Sequence, residues 1–133
     1  MHSNDIAAFR EICLDLPGGA ILERYSDSIA AAICNGVGAA WIDRVAPHAS
    51  AVLNRTLPWA IAPSIIHDLA YHEGVGGKAG REAADFQFWA GCIQEIDRLG
   101  GWPWSRWWRY HRATDLYMVL RRHGELAWEG RND

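Results

Sequence analysis

Residues 63–71 read Pro63-Ser64-Ile65-Ile66-His67-Asp68-Leu69-Ala70-Tyr71, and residues 84–89 read Ala84-Asp85-Phe86-Gln87-Phe88-Trp89. Gly74, Gly76 and Gly77 lie between them. Proline in an opening turn and glycine just past the end mark the first stretch as one helix. The second stretch belongs to a longer helix, from about residue 80 to 99. In it Phe88, Trp89, Cys92, Ile93 and Ile96 stand 3, 4, 7, 8 and 11 positions after Asp85. That spacing sets the Asp85 carboxylate on the face that packs inward. A buried charge is costly unless it is paired or hydrogen-bonded. A short glycine turn joins the two helices, so they are expected to pack antiparallel. Asp85, 18 positions after His67 (85 minus 67), would then face that histidine across the seam. The alternative is that Asp85 caps a loop or pairs with Arg81, one helical turn earlier.

Outward from this hairpin, Ile6, Phe9, Cys13 and Leu16 recur at helical spacing until Pro17-Gly18-Gly19. Leu22, Tyr25, Ile29 and Ile33 predict a second amphipathic helix ending near Asn35-Gly36. Pro47 and Pro58 punctuate residues 39–62, with a short helix expected around residues 50–54. Gly100-Gly101-Trp102-Pro103 breaks the chain again, and a last helix over about 105–123 leads into a polar tail. There is no repeat and no strand pattern, so the expected fold is all-α. It is a small multihelical domain, single over residues 1–133, with two antiparallel helices carrying a His/Asp dyad.

Half of the 133 residues are apolar, enough to build one core. A formal charge of -3 argues against nucleic acid as a partner. Cys13, Cys34 and Cys92 are odd in number, widely spaced and set in apolar stretches. They read as buried structural thiols in a reducing compartment, neither a disulfide framework nor a zinc pattern. Arg10, Glu11 and Asp15 interrupt any leader-like apolar run, so no secretory signal is expected. The alanine-rich stretch over residues 29–41 is too short to span a bilayer.

His67 beside Asp68 places a proton acceptor next to an oxygen ligand for a metal. Upstream, Cys34-Asn35-Gly36-Val37-Gly38 reads on its own as a helix C-cap and turn. Taken together, Gly36-Val37-Gly38, His67-Asp68-x-x-Tyr71 and Ala84-Asp85 with Phe88 resemble the phospholipase A2 superfamily, in particular its compact bacterial and phage-like branch. The resemblance covers residues 34–38 and 63–89. It implies a Gly-rich calcium-binding loop, with Ca²⁺ held by the carbonyls of Cys34, Gly36 and Gly38 and by the Asp68 carboxylate. It also implies that His67 activates water, Asp85 orients His67, Tyr71 bonds Asp85, and the Gly36 N–H serves the oxyanion. The expected activity is Ca²⁺-dependent hydrolysis of phospholipid acyl esters. Secreted members of that family place cysteines where Ile65 and Ile66 stand, so here helix packing must replace the disulfides. The segment from Gly38 to His67 is long, with 28 intervening residues (67 minus 38 minus 1).

Residues 101–112 hold four of the eight tryptophans, Trp102, Trp104, Trp107 and Trp108, and place Arg106, Arg109 and Arg112 three apart. Indole rings favour the lipid headgroup region and arginines attract anionic lipid, which predicts a membrane interface. The competing expectation is that Trp107 and Trp108 fill the core. A non-catalytic phospholipase A2-like lipid-binding or virion-assembly module is the alternative function. A His-Asp metal phosphohydrolase would need further ligands, and His48, His72 and His111 fall in no matching pattern. The protein is expected to be cytoplasmic, packaged with a virus-like particle, or released by lysis. The oligomeric state is not legible.

Overall fold

A computed structural model describes residues 1–34, 57–125, 127 and 128. Its order is α1 (Ser3–Leu14), a 3-10 helix (Gly19–Arg24), α2 (Asp27–Cys34), a 3-10 turn (Pro58–Ala60), α3 (Ile61–Glu73), α4 (Gly77–Leu99) and α5 (Pro103–His123). No strand occurs among the described residues, so the fold is all-α. None of their helices is long and apolar enough to cross a membrane.

α3 lies at the centre. Ala62, Ile65, Ile66 and Leu69 share one face and pack with Ile6, Cys13, Leu22, Ala30 and Cys34 from the N-terminal elements. Tyr71, on another face, packs with Phe88, Cys92 and Ile96 of α4 and with Ala113 and Leu120 of α5. A helix apolar on both sides in this way is a core helix rather than a surface one. Gly74 stops it in the left-handed conformation, φ 58°, which a side chain would resist.

The contacts run in opposite directions along α3 and α4. Tyr71 meets Asp85, His67 meets Phe88, and a methyl built on Gly91 would touch Pro63 at 3.3 Å. The two helices are therefore antiparallel. α5 returns along α4 in the same manner: Asp97 accepts from Tyr110, Thr114 from Trp89, and Asp85 from Arg121.

Several boundaries differ from the sequence reading. The second helix is split. Leu22 belongs to the 3-10 helix, α2 begins only at Asp27, and Ile29 is exposed while Ala30, Ala31 and Cys34 are buried. The cause is Arg10, whose guanidinium draws the Leu22 carbonyl (2.9 Å), the Tyr25 carbonyl (2.8 Å) and Asp27 (2.7 Å) together. That arrangement fixes a bend where the apolar spacing suggested continuity. α3 begins at Ile61, so Pro63 sits inside its first turn, where its missing N–H is not needed. The expected polar tail is not wholly polar: Ala127 and Trp128 are buried, and Trp128 packs edge-on against Tyr71 at 5.2 Å. The helix expected around residues 50–54 lies outside the described residues.

All three cysteines are buried and none forms a disulfide. Burial, with Glu95 adding to it, pushes the Cys13 thiol up to about 12, and burial pushes Cys92 further in the same direction. Neither is a nucleophile at neutral pH.

Leu69 has no solvent exposure and lies on the α3 face that holds the N-terminal elements. Leu69→Ala is expected to cost about 2–5 kcal/mol in urea unfolding through lost transfer energy and the cavity left behind. A loss under about 1 kcal/mol would show that this face is not tightly packed.

Candidate active site

The seam between α3 and α4 brings three of the expected residues together. His67 Nε2 lies 2.8 Å from Asp85 Oδ1, and the Tyr71 hydroxyl donates to the same oxygen at 2.7 Å. His67 and Tyr71 are one turn apart on α3, and their rings lie against each other with centroids at 4.2 Å. Phe88 closes the other side of the imidazole, edge-on at 5.4 Å. Asp85 is fully buried and His67 nearly so.

Two arginines complete the shell; the sequence offered Arg81 only as an alternative to His67 and did not point to Arg121. Arg121 of α5 donates to Asp85 Oδ2 at 2.8 Å. Arg81, which the spacing offered as a rival to His67, stands 3.6 Å from that same oxygen. The two pairings expected for Asp85 are therefore both met, one on each oxygen. Arg81 also donates to the carbonyls of Leu120 (3.3 Å) and Arg121 (3.4 Å), which fastens the end of α5 to α4. Gly124 follows, and a methyl built there would fall 2.5 Å from the Tyr71 hydroxyl. Only glycine lets the chain pass so near the site.

Burial works to raise the Asp85 carboxyl, but His67, by hydrogen bond and charge, outweighs it together with Tyr71 and Arg121. The carboxyl is held below its ordinary range. Tyr71 is shifted the other way, upward, by burial and then by the Asp85 carboxylate. At neutral pH Asp85 is thus an acceptor only, and the protonated Tyr71 hydroxyl is the donor in the bond between them. A neutral His67 must place its hydrogen on Nε2 to bond this carboxylate, which leaves the lone pair on Nδ1.

Asp68, next along α3, is half-buried. Cys34 ends α2, and its thiol points at the Ile65 carbonyl, 4.0 Å away. The end of α2 therefore lies against α3 at Ile65, two positions before His67. Gly36 and Gly38, with the expected loop carbonyls and the Gly36 N–H, lie outside the described residues. Among the described residues no three His, Cys, Asp or Glu side chains form a metal-holding group. The donors the expected site offers are one carboxylate and main-chain carbonyls. All are oxygen, a set that suits a hard cation such as Ca²⁺.

The tryptophan-rich stretch is exposed, against the expectation that Trp107 and Trp108 fill the core. Trp102, Trp104, Trp107 and Trp108 are 67%, 65%, 54% and 57% exposed. Trp102 and Trp104 stack in parallel at 5.3 Å. The expected arginine stripe is uneven. Arg109 spends its donors on the Gly100 carbonyl (2.7 Å) and Ser105 (3.2 Å), while Arg112 lies over the Trp108 ring and within 3.8 Å of Asp115. A groove of about 340 Å³ runs beside this end, between Trp59, Leu99, Trp108 and Arg112.

Compared with known proteins, the chain matches no family model, no curated protein and no solved structure.

The depressed Asp85 carboxyl has a defined effect on stability. A group lowered in the folded state contributes above its unfolded value, about 3.9, and that contribution is lost as pH falls through the folded value. Asp85→Asn also leaves two arginines facing a neutral amide, and breaking a buried pair costs roughly 3–5 kcal/mol. The stability gap between wild type and Asp85→Asn, measured by denaturant unfolding, is expected to be wide at pH 7 and to narrow below about pH 4. A gap independent of pH would contradict the pairing.

Proposed function

We propose that the protein is a Ca²⁺-dependent lipolytic esterase of the phospholipase A2 type, cleaving acyl esters of phospholipids. The observation that carries this reading is the 2.8 Å bond between His67 Nε2 and Asp85 Oδ1, made inside a shell that fixes the imidazole on three sides. An isolated structural histidine needs one hydrogen bond. This one has its tautomer selected, its ring clamped, and a carboxylate beside it in the chain.

In this reading His67 Nδ1 accepts a proton from a water molecule as the water oxygen attacks the ester carbonyl carbon. Asp85 holds the imidazolium that forms and does not itself take the proton. Collapse of the tetrahedral species breaks the bond to the leaving alkoxide, and Nδ1 returns its proton there. The products are a fatty acid and a lysophospholipid. Asp68 and the carbonyls of Cys34, Gly36 and Gly38 would hold Ca²⁺, which when bound polarises the ester carbonyl and balances the oxyanion charge. The Gly36 N–H would be a further donor to that oxygen. Tyr71 keeps Asp85 from rotating.

The partner is a phospholipid surface, met through the exposed tryptophans at the start of α5, with Arg106 and Arg112 favouring anionic lipid by about 1 kcal/mol each. Arg109 acts differently, as the clasp that holds the Gly100 turn against α5. The same exposed indoles favour one alternative, a lipid-binding or virion-assembly module that docks without hydrolysis.

Mass spectrometry of mixed phospholipid vesicles tests the class. Lysophospholipid and fatty acid are expected with Ca²⁺ and not with chelator; vesicle binding without either product would favour the binding module. His67→Gln is expected to lower turnover by about 10²–10⁴ while the helical circular dichroism is kept. Asp68→Asn is expected to weaken Ca²⁺ in calorimetric titration, whereas Asp85→Asn keeps metal affinity and loses turnover. Equal metal loss in both variants would overturn the division of roles.

Docking has its own measurement. Anionic vesicles are expected to shift tryptophan fluorescence to the blue, and Arg106→Glu with Arg112→Glu to weaken vesicle sedimentation. Undiminished sedimentation of that double variant would remove this face from the proposal.

A further inference from the structure

The two oxygens of Asp85 serve different partners. Oδ1 accepts from His67 and Tyr71, both on α3; Oδ2 faces Arg121 of α5 at 2.8 Å and Arg81 of α4 at 3.6 Å. A carboxylate that merely joined α4 to α5 would have no reason to divide its oxygens in this way. Packing does not call for it either, since apolar residues of similar volume usually replace a buried ion pair at little or no cost. What the division does is fix the carboxylate plane. With Oδ2 held by cations, rotation about the Cβ–Cγ bond is blocked, and Oδ1 stays where the His67 Nε2 hydrogen points.

We propose that Arg121 is a positioning residue for the His67–Asp85 pair, holding Oδ2 so that Oδ1 keeps one tautomer of His67; this rests on the reading of His67 as the base. Arg81 is the weaker second hold. It lies farther away and divides its donors between Asp85 and the carbonyls of Leu120 and Arg121. Arg81 is also what sets the end of α5 at the height where Arg121 can reach. Residues from all three helices therefore act on one carboxylate, and the last of them reaches it from 36 positions along the chain.

The assignment is tested with Arg121→Gln and Arg121→Lys in the full chain at one neutral pH. The first readout is the proton resonance of His67 Nε2, expected far downfield and slow to exchange while the bond to Asp85 is kept. The second is kcat and KM on vesicles of phosphatidylcholine and phosphatidylglycerol with Ca²⁺. Arg121→Gln is expected to lose the resonance to exchange and to lower kcat about tenfold or more, with KM within about twofold. Arg121→Lys keeps the charge without the planar fork and is expected to fall between, with a shifted but visible resonance. A folded Gln variant with the wild-type resonance and kcat overturns the proposal. If the Gln variant does not fold, an unshifted resonance and unchanged kcat in the Lys variant overturn it instead. The outcomes stay separate from the functional reading: should wild type hydrolyse nothing, that reading falls, while the resonance alone still decides what Arg121 does to His67.

Discussion

Removing a carboxylate from water costs several kcal/mol unless its oxygens find donors, and Asp85 is removed from water completely. The arrangement of α3, α4 and α5 can be understood from that demand. Each helix supplies donors: His67 and Tyr71 from α3, Arg81 from α4 itself, Arg121 from α5. None of these helices can shift along its neighbour by a turn without stranding a buried charge. Apolar packing alone would tolerate such slippage, because alanine, isoleucine and leucine faces are interchangeable at that level. The charge cluster supplies the register, and the two hydrophobic clusters on either side of α3 supply most of the burial energy.

The same cluster decides what His67 can do. A carboxylate with two cations on one oxygen stays ionised and still accepts strongly through the other. That fixes which imidazole nitrogen keeps its hydrogen, and so which one is free to act as a base. The tyrosine contributes through geometry. Its hydroxyl remains protonated and shares Oδ1 with the imidazole, so it competes for the oxygen's lone pairs and confines the His67 bond to the remaining direction. Gly124 matters here because a larger residue would push the chain end away from that hydroxyl.

Much of this could be read from the sequence. The offsets of Phe88, Cys92 and Ile96 from Asp85 placed the carboxylate inward, and the glycines at 74–77 implied an antiparallel hairpin; together they make the His67–Asp85 pair a local inference. Arg121 was beyond reach for a physical reason. Its contact joins helices separated by the break at Gly100-Gly101, and no periodicity within α5 distinguishes an arginine pointing inward from one in solvent. Trp128 was hidden similarly, by a polar surrounding sequence that conceals one buried indole. The split of the second helix failed for a different reason. Arg10 collects backbone carbonyls from a segment more than ten residues away, a tertiary bond that overrides local apolar spacing. The tryptophans at the start of α5 show the limit of composition, since eight indoles in a chain of 133 residues suggest a core, and four of them lie outside it.

α5 joins the two features that bear on the proposed function. Its last turns hold Asp85 through Arg121, and its first turns carry the exposed indoles. Trp104 and Arg121 are 17 positions apart (121 minus 104), about 25 Å along the axis at 1.5 Å per residue. None of the bonds to Asp85 comes from residues 102–112. Sites this far apart with no shared partner contribute independently. A surface docked through the indoles would therefore leave the tautomer of His67 untouched, and under the proposed function any influence of lipid on turnover would arise from where α5 places the substrate rather than from a change at His67.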